Sequence, residues 1–159
     1  EFALLEIEWG NSSKAIAKSN RYSVQVWVKA KILASNFRGA RARRTSARDA
    51  AGVGVGVRDM VHSISFSRHD SFVASRKWDA LNFDARGECR VGYTGWGGFL
   101  TIIRVAFAPN TRPLGVPPAT RVLELPHFIV LHANGEQSTK TLQTLVTFPS
   151  AGTKKDKKR

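Results

Sequence analysis

The chain has 159 residues, 42% of them hydrophobic, with a single cysteine and a formal net charge of +13. One thiol can build neither a disulfide nor a four-cysteine zinc site, and four tryptophans with nine phenylalanines exclude global disorder. A single domain is expected, long enough to bury about two-thirds of its unfolded surface.

Residues 3–9 fit a short strand or a helical turn, closed by the turn pair Gly10-Asn11, after which Asn11 or Ser12 can cap a brief helix through Lys18. From Tyr22 the pattern sharpens. Val24, Val26, Val28, Ala30 and Ile32 alternate with Gln25, Trp27, Lys29 and Lys31, and period two with β-branched enrichment predicts a half-buried strand.

Five arginines follow within eleven residues: Arg38, Arg41, Arg43, Arg44 and Arg48. Ala and Gly stand between them, so the segment at about 38–50 is expected as a basic insertion, either a helix with a cationic face or an extended arm. Residues 51–57 alternate glycine with valine, which predicts a flexible loop or a poorly packed edge strand. The glycine spacing fits neither a P-loop nor a dinucleotide fingerprint.

Strand patterns then recur. Met60, His62, Ile64 and Phe66 share one face. A turn at 85–88 separates 81–84 from 89–93, and Phe99, Thr101, Ile103, Val105 and Phe107 form a further alternating face. Between them, Trp96 lies within the glycine-rich stretch Gly95-Trp96-Gly97-Gly98, as a binding tip or as a loop anchor. The prolines of 109–118 mark a loop. Two short apolar runs, 122–125 and 128–131, precede Asn134-Gly135, the best hairpin signal in the chain because a type I′ turn wants positive φ at both central residues. The pattern predicts an all-β or β-rich α+β domain, an antiparallel sandwich or barrel over residues 1–148 carrying flexible basic segments. Residues 149–159 form a basic flexible tail holding Lys154, Lys155, Lys157, Lys158 and Arg159 against Asp156.

No arrangement here has catalytic spacing. His62, His69, His127 and His132 are scattered along the chain, and His127 and His132 fall on opposite faces of an extended segment. Cys89 in a strand pattern reads as a small core hydrophobe. Neither a catalytic residue, a metal site nor a cofactor is expected, and the chain is read as a non-enzyme. The Glu1-Phe2-Ala3 start lacks the cationic region of a secretion signal, and Gly97 to Pro109 is too short to span a bilayer. The expectation is a soluble protein of a cell interior or virion, with no membrane partner.

Most of the net charge sits in the Arg segment and the tail, which suggests a polyanionic partner, with RNA as the class. Trp27 beside Lys29 and Lys31 has the composition of a base-stacking platform, set against the alternative that another layer covers it. A near-neutral β body with cationic arms resembles, in charge layout and fold class, small viral coat proteins and ribonucleoprotein components. That resemblance implies a self-assembling coat-type subunit that neutralises RNA. A ribosomal or ribonucleoprotein component is the alternative, and a small hydrolase or nuclease using histidines is the alternative of another class.

Overall fold

The computed structural model describes residues 1–36, 55–68 and 78–148. It is an antiparallel β-sandwich. The strands are β1 (Phe2–Ala15), β2 (Tyr22–Ser35), β3 (Val61–Phe66), β4 (Glu88–Gly95), β5 (Leu100–Phe107), β6 (Arg112–Pro113), β7 (Val122–Phe128) and β8 (Asn134–Thr147), with one short helix, α1 (Val55–Met60), before β3. A five-stranded sheet in the order β4-β2-β1-β8-β6 faces a three-stranded sheet in the order β3-β5-β7.

The core follows from alternation. Ala3, Leu5, Ile7 and Trp9 of β1 and Val24, Val26, Val28 and Ala30 of β2 point between the sheets, where they meet Ile64 and Phe66 of β3, Ile103, Val105 and Phe107 of β5 and Leu125 of β7. Side chains two apart share a face, so each of these rows is continuous. Val57 and Met60, three apart on α1, bury on one side of its single turn and close the edge beside β3.

Several expectations are corrected here. The first strand does not stop at Gly10-Asn11, and no helix follows it. It runs fourteen residues, paired on both sides by β2 and β8. Gly10 suits this centre because a Cβ there would collide with the Ser138 carbonyl. Of the two apolar runs, 122–125 lies within β7, whereas 128–131 is not a strand, since β7 ends at Phe128. Asn134-Gly135 makes no hairpin, since β7 pairs with β5 and β8 with β1, in different sheets. Gly135 does hold φ 76°, but it serves a crossover between layers. The valine–glycine stretch ends in α1 over residues 55–60, while 51–54 lie outside the described residues. The turn at 85–88 is present, with Gly87 at φ 76° and the Asp84 carboxylate accepting the Arg86 and Glu88 amides at 2.8 and 3.0 Å.

Candidate binding site at the β4–β5 pole

One end of the sandwich gathers the β1–β2 turn, the β4–β5 loop and the crossover from β7 to β8. Trp96 stands at its tip, 71% exposed. The loop holding it is short and tied down. Ile129 donates its amide to the Phe99 carbonyl at 2.9 Å, and a Cβ on Gly98 would strike the Ile129 carbonyl, so glycine permits the close approach of the two loops. The Tyr93 hydroxyl donates to the Gly97 carbonyl at 3.3 Å, and burial pushes that hydroxyl up to about 12, so it keeps its proton.

Beneath the tip lies a cluster of rings. Trp78 stacks on Phe99 with centroids 6.3 Å apart, tilts against Tyr93 at 6.0 Å and meets Phe66 edge-on at 6.4 Å. Tyr93 and Phe99 are 5.5 Å apart. These separations suit offset and edge-to-face packing. Trp78, Phe66 and Phe99 are buried, so the platform is rigid while Trp96 projects from it. The Arg21 guanidinium carbon lies 5.6 Å from the Trp96 ring centroid, a cation–π contact from the β1–β2 turn.

A buried polar network fixes the neighbouring crossover. On the inner face of β1 the apolar row gives way to Asn11 and Ser13. The His127 Nε2–H donates to the Asn11 amide oxygen at 2.7 Å, and the Asn11 amide nitrogen donates to the Val130 carbonyl at 2.8 Å. Ser13 bonds both the carbonyl and the amide of His132, at 3.0 and 2.6 Å. Thr101, the register partner of His127, donates to the Ser67 carbonyl at 2.8 Å. Burial, with Lys140 adding to it, lowers the His127 pKa to about 4, so the ring is neutral at physiological pH.

The residues expected to bind nucleic acid do not converge on this site. Arg38, Arg41, Arg43, Arg44 and Arg48, and Lys154, Lys155, Lys157, Lys158 and Arg159, lie outside the described residues. Trp27 is 0% exposed and offers no face for a base, which corrects the stacking-platform expectation. Although it points away from the inter-sheet core, its register partner on β1 is Gly10, which contributes no side chain, and Lys29 stands 4.5 Å over the ring. Lys29 is further held by Glu88 at 3.5 Å, and Lys31 by Glu6 at 3.3 Å.

Catalytic geometry is equally scattered among the described residues. Cys89 is buried, and desolvation, with Asp84 adding to it, pushes its thiol up to about 12, far from a nucleophilic thiolate. His62 is exposed on β3, His127 is committed to Asn11, and among the described residues no group of three or more His, Cys, Asp or Glu could hold a metal ion. His69 lies outside the described residues.

The Trp96 pole carries a signal that sequence reasoning half caught. The glycines around Trp96 left it as tip or anchor, and the structure makes it the tip. Trp78, which anchors the platform, carried no sequence signal, because its partners come from β3, β4 and the start of β5, distant in the chain.

No family model matches the chain, nor does any curated protein. Solved structures do share its fold. The crystal structure of the yeast AF-9 homolog protein Yaf9 superposes with a TM-score of 0.55 at 16% identity, covering 91% of this chain and 84% of that one. The Yaf9 YEATS domain bound to H3K27ac gives 0.54 at 17% identity, covering 91% and 85%. This likeness establishes the sandwich architecture, and it corrects the expectation of an RNA-neutralising coat subunit or ribonucleoprotein component. One of these neighbours is a YEATS domain solved with H3K27ac bound, where nucleic acid had been expected.

Proposed function

We propose that this chain is a binding module for acylated lysine on a histone tail, with Trp96 as the ring against which the acyl amide packs. The observation that carries the reading is an exposed tryptophan held by a glycine loop over a buried aromatic platform. It stands on a fold shared with a YEATS domain solved bound to H3K27ac.

The chemistry is consistent with that role. Acylation removes the lysine charge and leaves a flat, neutral amide on an aliphatic stem. Such a group gains from contact with an indole face without the desolvation cost of an ammonium. Arg21, 5.6 Å from the ring centroid, opposes an unmodified lysine by like charge and leaves a neutral amide unaffected. Selectivity for the modified side chain thus arises from attraction to the ring together with repulsion at its edge. Binding of this kind requires no nucleophile or general base.

Calorimetric titration with matched acetylated and unmodified histone H3 peptides tests the reading. The acetylated peptide should bind about tenfold tighter or better, and Trp96→Ala should remove most of that affinity. Equal binding of both peptides, or undiminished binding by a folded Trp96→Ala protein, would overturn it.

A further inference from the structure

The opposite pole carries a second site of different chemistry. After β5 the chain runs through β6 and a proline-bearing loop to β7, and this connection encloses a pocket of about 320 Å³ lined by Thr111, Arg112, Pro113, Val116, Pro117 and Arg121. It adjoins a groove of about 510 Å³ that shares Val116 and Pro117 and continues over Val122 and Leu123 to Arg104 and Glu124. Val116 is buried at the junction, so the floor is apolar.

Two observations bear on these arginines. First, neither guanidinium has a carboxylate partner among the described residues. The ion pairs there engage Lys29, Lys31, Arg68, Arg90 and Arg104, and neither Arg112 nor Arg121. Second, Arg121 stands where a glycine fits the backbone. Its amide donates to the Pro117 carbonyl at 2.9 Å, closing a single helical turn, and its own φ is 52°. A turn closed this way ordinarily ends on glycine, because a Cβ is strained in the left-handed region. Its carbonyl also accepts the Phe107 amide at 2.9 Å, so the position is fixed at the exit of β5 and cannot relax by swinging outward. Lys18 and Ala80 share this backbone region, but Arg121 holds it while lining a pocket with a second cation that has no carboxylate partner among the described residues, an arrangement suited to an anionic ligand.

We infer that the Arg112–Arg121 pocket binds the carboxylate of an acidic peptide, whose apolar side chains lie along the Val116–Leu123 groove. The charge pattern selects this occupant. Two guanidiniums at one end suit a carboxylate, each capable of paired hydrogen bonds. The apolar walls suit aliphatic side chains, which a free inorganic anion lacks. Glu124 at the far end, already paired with Arg104 at 3.2 Å, repels a polyanion running the length of the groove. The site is separate from the Trp96 pole, and its test does not depend on the reading of that pole.

The experiment is a titration of the isotope-labelled full chain with a short, C-terminally amidated synthetic peptide of one glutamate followed by alternating leucine and serine, monitored by NMR through backbone amides and arginine side-chain N–H groups. Shifts should concentrate at residues 111–124 and leave the amides of 95–99 unmoved. Arg112→Gln should weaken binding about tenfold, and Arg121→Gly should do the same while raising the melting temperature by relieving the strained φ. The peptide with glutamine in place of glutamate should not bind. Undiminished binding by both variants, equal binding of the glutamine peptide, or inorganic phosphate competing as strongly as the peptide would overturn the assignment. So would shifts spread evenly over the basic surface.

Discussion

The two poles of the sandwich are built from opposed chemistries on one frame. At the β4–β5 pole the loops are held by buried rings and by side-chain hydrogen bonds from Asn11, Ser13 and Thr101, and one aromatic residue is left outside. At the β5–β7 pole the loop is held by backbone bonds and by the hydroxyls of Thr111, Thr144 and Thr147, is walled by proline, and presents guanidiniums that have no carboxylate partner among the described residues. A strand sandwich fixes both ends equally, so the difference lies in what each loop returns to the core. Trp78 and Phe99 are large core residues on loop segments, whereas the other loop buries the smaller Val116 and leaves Leu114 exposed. The first pole therefore couples to global stability, and the second is closer to independent of it.

The sharpest way to break that comparison is truncation of the platform. Trp78→Ala removes a buried indole that touches three other rings, and urea denaturation should show a loss of about 3–5 kcal/mol. Leu114→Ala, 73% exposed at the opposite pole, should stay within about 0.5 kcal/mol. A comparable loss from both would remove the distinction.

Acid provides the next largest effect. His127 takes a proton in the unfolded chain near its ordinary pKa of 6.5 but only at about 4 when folded. Below pH 6.5 the unfolded state therefore binds more protons than the folded one, and stability falls as pH drops from 6.5 toward 4. Denaturation at pH 7 and pH 4 should differ by about 3 kcal/mol from this group, since one pKa step corresponds to about 1.4 kcal/mol. His127→Gln should flatten the difference over that window.

The smallest effect is the most informative. Trp96→Ala, despite deleting a whole indole, should change stability by no more than about 0.5 kcal/mol, because the ring lies outside the core and its described partner is the exposed Arg21. Set beside Trp78→Ala, this separates a tryptophan that holds the pole from one that the pole presents.

Much of the sandwich was legible before any coordinates. The alternation at Val24–Ala30 and at Phe99–Phe107 placed the right residues inward, because a strand half exposed to water writes its register into the sequence. β1 was misread where its inner row turns polar. Asn11 and Ser13 look like helix caps or turn formers until their partners at Val130 and His132 are known, and those lie 119 residues away. Asn134-Gly135 misled for a related reason. The dipeptide supplies a positive φ at Gly135, but local preference does not say whether the turn folds a strand back or carries it to the other sheet. The candidate site was legible only as an oddity, an indole among glycines. Its platform is assembled from three separated segments, and the charge clusters that dominate the composition drew attention elsewhere.

The position of Cys89 has a practical consequence. As the chain's one thiol, buried in the core on the edge strand β4, opposite Val28 of β2, and held protonated, it is silent toward alkylating probes until β4 lifts from the sandwich. Its rate of modification is then a clock for opening of the larger sheet, readable by mass alone. A cysteine introduced on an exposed loop at either pole would take a fluorophore without interference from the native one, so a dye could be placed at each end of the sandwich in an otherwise unaltered background.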